Sequence, residues 1–217
     1  MAKVAVVLSG CGVYDGTEIY EAVCTLLALD RAGAEVQCFA PNKQQMHVVN
    51  HLTGEEMAEK RNVLVEAARI CRGQVKDLTE AKVGDFDALV VPGGFGAAKN
   101  LCNFAVKGAE AQVDPQFLAF AQGMHQAGKP IALICIAPVM SAAICGEGVE
   151  CTIGNDESVA AAINTMGGQH ISCPVTEAHV DKARKLVTTP AYMLAERVSE
   201  AAAGIEDCVA KTLALID

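Results

Sequence analysis

Residues 131–138 read IALICIAP: four apolar residues, a cysteine, then Ile136-Ala137-Pro138. An apolar run without polar alternation describes a strand covered on both faces, the condition of the interior of a parallel sheet. Pro138 suits the first turn of a helix, so Ile131 to Cys135 reads as a central strand and Pro138 to Ile144 as the helix after it. Cys135 then stands on a strand-to-helix turn with the geometry of a nucleophile elbow. A thiol there meets unpaired backbone N–H groups and the positive end of a helix, which favours thiolate over thiol. A buried structural cysteine is the competing reading. The hydrolase elbow pattern G-x-S-x-G is absent, because Leu133 stands where it requires a small residue.

Outward from that strand, the chain alternates strand and helix patterns. Lys3 to Leu8 (KVAVVL) is an apolar β-branched run, a helical pattern covers Thr17 to Arg31 and stops at Gly33, and Ala34 to Ala40 (AEVQCFA) is a second strand. Asn62 to Cys71 has helical spacing, Phe86 to Val91 is a buried strand, and Asp114-Pro115 opens a helix to Gln126. Further on, a strand is expected at Cys151 to Ile153, a helix at Ser158 to Met166, strands near His170 to Val175 and Lys185 to Thr189, and a terminal helix pair. This order builds right-handed parallel units, hence an α/β protein with helices on both faces of a mostly parallel sheet. The polar stretch Pro41 to Lys60 is long for a connection and reads as a functional loop or an interface arm.

No linker or charge run divides the 217 residues, so residues 1–217 read as one domain. A chain of this length buries roughly 70% of its unfolded surface and needs no disulfide staples. Seventeen basic residues against twenty-six acidic give a net charge of -9. Scattered basic residues under that charge exclude nucleic acid and anionic membranes as expected partners. MAKVAVVLSG has too short an apolar run for a secretory signal, and no run reaches the ~18 residues of a membrane span. A cytoplasmic location is therefore expected, with the ten cysteines as free thiols.

In such a sheet the site lies at the carboxyl ends of the strands. After the first strand, Gly10, Gly12 and Gly16 resemble a dinucleotide loop in spacing, but Phe39, Ala40 and Pro41 follow the second strand where an acid or Arg would be required. No nucleotide cofactor is expected. Pro92-Gly93-Gly94 lets backbone approach a ligand and could join the Ile136 N–H in holding an oxyanion; a plain tight turn is the alternative. Glu18 and Glu21 share one side of the first helix. Glu18 alone is an ordinary first-turn acid, whereas Glu21 precedes an apolar face, and burial there would raise its pKa toward that of a working acid or base. The histidines offer no metal set: His47 and His51 lack a third ligand, His125 lies on a polar face, and Glu177 and His179 fall in a turn-rich segment.

The stretches SGCGVYDGTEIYEA, FAPNKQQ, VVNHLTGEEM, RNVLVEAARI, VPGGFGAAKNL, MHQAGKPI, CIAP and TTPAYM resemble the ElbB (enhancing lycopene biosynthesis protein 2) branch of the PfpI, or class I glutamine amidotransferase-like, superfamily nearly end to end. That resemblance implies a flavodoxin-like three-layer sandwich; a homodimer is the expected assembly. The resemblance also implies a nucleophilic Cys135, a Glu21 hydrogen-bonded to it, and oxyanion donors in the backbone of Gly94 and Ile136. It implies no metal and no cofactor. Where many cofactor-free glyoxalases of the superfamily carry a histidine, this chain has Gly154-Asn155-Asp156, and the His-x-Glu of the amidotransferases is missing. The activity expected is conversion of the small aldehyde glyoxal to glycolate. The alternative is a non-catalytic stress or regulatory protein that uses the cysteine pocket for sensing or metabolite binding.

Overall fold

A computed structural model describes residues 1–217. The first half runs β1 (Lys3–Val7), α1 (Ile19–Arg31), β2 (Glu35–Ala40), α2 (Val63–Ile70), β3 (Val75–Asp77), β4 (Ala88–Val91), α3 (Phe104–Lys107) and α4 (Pro115–Gln126). The second half runs β5 (Ile131–Ile134), α5 (Ser141–Cys145), β6 (Glu150–Cys151), α6 (Glu157–Thr165), β7 (Gln169–His170), β8 (His179–Asp181), β9 (Leu186–Thr189) and α7 (Val198–Leu213). Seven strands form one sheet in the order β3-β2-β1-β4-β5-β9-β8, parallel except for β8 against β9. This is the expected α/β, flavodoxin-like sandwich.

The pleat explains the two core layers. Val4, Val6, Val90 and Ile134 point to the face covered by Leu29 of α1, Ala67 of α2 and Ile205 of α7. Val7, Leu89, Val91 and Leu133 point to the opposite face, against Phe117, Phe120 and Met124 of α4. Every residue of β4 and β5 is buried, as strands covered on both sides must be. The strand order reverses between β1 and β4. In a doubly wound sheet that switch opens a crevice at the carboxyl ends, between the loops leaving the two strands.

Three expectations need correction, and two strands, β3 and β8, have no counterpart among them. The strand expected at His170 to Val175 is only Gln169–His170, paired with β6 outside the main sheet. The sheet strand lies further on, in β8, whose turn-rich surroundings hid it. β3 is three residues long and was not anticipated. The terminal helix pair is one helix, α7, preceded by a 3₁₀ turn at Ala191–Met193. The helix expected at Pro138 to Ile144 is a 3₁₀ turn, Ala137–Met140, followed by the five-residue α5. The Pro41 to Lys60 stretch is tied down rather than loose: Gln44 pairs with Asn62 and Val49 with Glu56, while Val49 and Met46 donate backbone N–H groups to Asp15 and Asn100.

Candidate active site at the carboxyl ends of the strands

Cys135 follows β5 with φ of 63°, a left-handed conformation that costs a non-glycine residue about 1–3 kcal/mol. Its surroundings hold it there. The Cys135 N–H donates to the Thr189 carbonyl at 2.9 Å, and Gly93 packs so close that a Cβ added to it would stand 2.4 Å from the Cys135 Cβ. Only glycine fits at position 93. The strained backbone places the sulfur at the strand ends beside the Gly93-Gly94 turn, so the elbow read from the sequence is present.

Glu21 comes to the sulfur from α1. The helix begins after Glu18, whose side chain caps it by accepting the Glu21 N–H at 2.6 Å. One turn in, the Glu21 carboxyl is 0% exposed. Its Oε2 accepts the Gly93 N–H at 2.9 Å and its Oε1 the Tyr192 N–H at 3.2 Å. Cys135 is its neighbour across Gly93, where an added Cβ would meet both the Cys135 Cβ and Glu21 Oε2. Burial, and then the charge of Glu18, push Glu21 up to about 8 against the opposing effect of these hydrogen bonds, so it is mostly protonated at neutral pH.

The Cys135 environment corrects the thiolate expectation. Burial and then the Glu21 carboxylate raise its pKa well above the ordinary thiol value, although the Gly94 and Ile136 N–H groups at the sulfur act in the opposite direction. The helix behind the elbow is too short and too interrupted to overcome desolvation. Of the ten free cysteines, only Cys71 is lowered, by the neighbouring Cys38 thiol, and its own sulfur donates to the Ala67 carbonyl at 3.4 Å.

A cavity of about 400 Å³ opens onto this group. Phe95, Phe104, Val159, Tyr192 and Met193 supply an apolar wall, and Cys135, Gly94, Ile136, Glu18 and Asp156 also line it. Glu21 does not. The sequence reading missed this division: Glu18, taken as an ordinary first-turn acid, is the glutamate that faces the cavity. The signal available was its position beside Thr17 at the start of the helix, because a residue that caps a helix projects from its end. Asp156, in the stretch that lacks the histidine, caps α6 through the Val159 N–H at 2.8 Å. Tyr192 belongs to the TTPAYM stretch.

The remaining candidates stand apart. The glycine loop after β1 closes on itself through Gly12 N–H to Thr17 O at 2.8 Å and Gly16 N–H to Gly12 O at 2.7 Å. His51 bonds the Tyr14 N–H and the Val49 carbonyl, His170 accepts the Ile153 N–H, and His179 meets Glu150 at 3.0 Å. No histidine lines the cavity. No group of three or more His, Cys, Asp or Glu side chains is placed to hold a metal ion, and no helix is long and apolar enough to cross a membrane.

The human glutamine amidotransferase-like class 1 domain-containing protein 3, mitochondrial, is 48% identical to this chain over 99% of its length and 83% of the relative's. The crystal structure of an isoprenoid biosynthesis protein with amidotransferase-like domain from Ehrlichia chaffeensis is 37% identical, covers 100% of both chains and superposes with a TM-score of 0.94. Glyoxalase III from Candida albicans covers 100% of this chain and 98% of its own with a TM-score of 0.62, but at 14% identity it shows the shared fold alone. The model of the DJ-1/PfpI family matches residues 3–191, with the elbow, both glutamates and the Gly93-Gly94 turn inside the match. The chain therefore belongs to the DJ-1/PfpI family, on the side of the ElbB-like isoprenoid biosynthesis proteins.

Proposed function

We propose that this protein is a regulatory binder of small reactive carbonyl metabolites, which it captures reversibly on Cys135. In the capture step the sulfur bonds to the carbonyl carbon, the C=O π electrons move to oxygen, and that oxygen gains the proton the thiol gives up. The product is a hemithioacetal, formed without oxidant or cofactor. Gly94 and Ile136 line the cavity with Cys135, and their backbone N–H groups are suited to receive the new oxygen. The observation that carries the reading is the cavity itself: a mostly apolar chamber of about 400 Å³, far larger than glyoxal, with the thiol on its wall and no histidine to drive rapid proton transfer. The name of the Ehrlichia chaffeensis relative suggests isoprenoid synthesis as the process regulated.

A second reading is a slow glyoxalase that converts glyoxal to glycolate, favoured by the joint placement of thiol, carboxyl and two N–H donors. The same experiment separates the two. Purified protein and Cys135→Ala are given glyoxal, and both covalent adduct and glycolate are measured. Adduct on the native chain without sustained glycolate supports the binder; glycolate formation that requires Cys135 supports the enzyme.

The proposal also includes cytosolic residence, against which the mitochondrial naming of the human relative gives a reason to fractionate cells. A homodimer belongs to it too. Ile19, Tyr20, Val23 and Leu27 form an exposed apolar stripe on α1, of the kind a second copy covers.

A further inference from the structure

We propose that Glu18 and Glu21 divide the proton traffic of the Cys135 adduct, with Glu21 serving the sulfur and Glu18 serving the carbonyl oxygen. This rests on the reading that a carbonyl compound adds to Cys135. The two carboxyls sit three residues apart on one helix start, yet their surroundings differ. Both Glu21 oxygens accept backbone N–H groups, from Gly93 and Tyr192, and the side chain is wholly enclosed beside Cys135. Turning it toward a ligand would leave two buried N–H groups unpaired. Glu18 lines the cavity together with Cys135, and its capping bond to the Glu21 N–H at 2.6 Å engages Oε2 alone, leaving Oε1 for a ligand.

Glu18 is also fixed relative to the oxyanion donors. Its N–H donates to the Gly93 carbonyl at 3.0 Å, and a Cβ on Gly94 would stand 2.3 Å from that nitrogen. The carboxyl is therefore anchored through one residue to the turn that carries the Gly94 N–H. Burial raises its pKa, which helps it carry a proton closer to neutral pH.

Release of a carbonyl then balances as follows. Glu18 carboxylate takes the hydroxyl proton of the hemithioacetal, and the O–H electron pair forms the C=O bond. The C–S bond breaks with its electrons on sulfur, which receives the proton held by Glu21. Release leaves Glu18 protonated and Glu21 ionised; capture is the reverse and starts from that form of the pair. One proton passing between the two carboxyls through solvent restores the resting form, and no electron leaves the system.

The test follows ¹³C-labelled glyoxal exchanging between free and Cys135-bound forms by NMR, with Cys135→Ala marking the signals that belong to the adduct. Glu18→Gln should retain the adduct but slow its exchange by roughly tenfold or more, at the low end of what a general acid or base contributes. It should also flatten the pH dependence of exchange, with partial recovery in Glu18→Asp. Exchange in Glu18→Gln at the native rate and with the native pH profile would overturn the division of roles while leaving carbonyl binding intact. Absence of any Cys135-dependent adduct on the native protein would sink both. A fold defect in Glu18→Gln would appear as a lowered Tm, in which case Glu18→Asp must show the slowing by itself, and native exchange there counts against the proposal.

Discussion

The molecule has two sizeable concavities beside its sheet, and the larger is the less chemical. Near the amino ends of β1, β2 and β4, Lys3, Glu35, Lys82, Asp85 and Asp87 border an open space of about 770 Å³. Its backbone is relaxed: a Cβ added to Gly84 would meet nothing within 4 Å. At the opposite end a cavity of about 400 Å³ is walled by apolar side chains, with a left-handed cysteine, a fully buried carboxyl and a glycine that tolerates no side chain. Charge that stays in water asks nothing of the fold, whereas a buried carboxyl and a strained φ persist only where surrounding contacts enforce them. Size therefore does not locate this site. Strain and desolvation do.

The most severe way to probe that contrast is a methyl group at each end. In Gly93→Ala the new Cβ falls 2.4 Å from the Cys135 Cβ, 2.7 Å from the Ile134 carbonyl and 2.8 Å from Glu21 Oε2. Overpacking of this kind costs about 1–3 kcal/mol, which for a domain of this size lowers Tm by about 2–4 °C per kcal/mol. Adduct formation should be lost along with it. Gly84→Ala should leave Tm within about 2 °C of the parent, as surface changes do. Equal melting of the two variants would remove the contrast.

A second stability probe is the pH response of the buried carboxyl. Its folded value, about 8, lies above the ordinary 4.5, so the folded state holds a proton that the unfolded chain releases. The stabilising contribution is complete below about 4.5 and is lost as pH rises through about 8. Compared with Glu21→Gln, the native protein should lose up to about 1.4 kcal/mol per pH unit across that window. Denaturant unfolding at pH 5, 6, 7 and 8 measures it. Parallel stability curves for the two proteins would show that Glu21 is not held protonated.

A smaller effect concerns which thiol reacts first with a reagent that does not need the cavity. Limiting iodoacetamide at pH 7 should label half-buried Cys71 before Cys135, because the reagent reaches the first more readily and burial both encloses the second and raises its pKa. Peptide mass mapping reads the order. Preferential labelling of Cys135 would restore the thiolate elbow expected from the sequence. Smaller still is the change at α1: Leu27→Lys should shift a dimer toward monomer in light scattering without altering Tm by more than about 2 °C, and an unchanged mass would remove that face as an interface.

Much of this was legible in the residues. The unbroken apolar runs at Ala88–Val91 and Ile131–Ile134 announce buried parallel strands, and Cys135-Ile136-Ala137-Pro138 announces the turn after them. Glu21 stands out as an acid ahead of an apolar helix face, but its pairing with the cysteine is legible only through the family resemblance. Glu18 does not stand out, since an acid at a helix start has an ordinary explanation in the dipole, and only the packing of α1 against the Gly93-Gly94 turn aims it into the cavity. The thiol's raised pKa was equally hidden: it depends on how completely the elbow is enclosed, a tertiary quantity. β3 and β8 are three residues each and take their strand character from neighbours rather than from their own pattern.

The central claim is that Cys135, within this enclosed group, captures carbonyl compounds. It is tested most directly by ¹³C NMR of labelled glyoxal mixed with native protein and with Cys135→Ala. The account predicts a hemithioacetal resonance at one equivalent per chain in the native protein, absent from the variant and lost when unlabelled glyoxal is added in excess. An identical spectrum from the two proteins would contradict it.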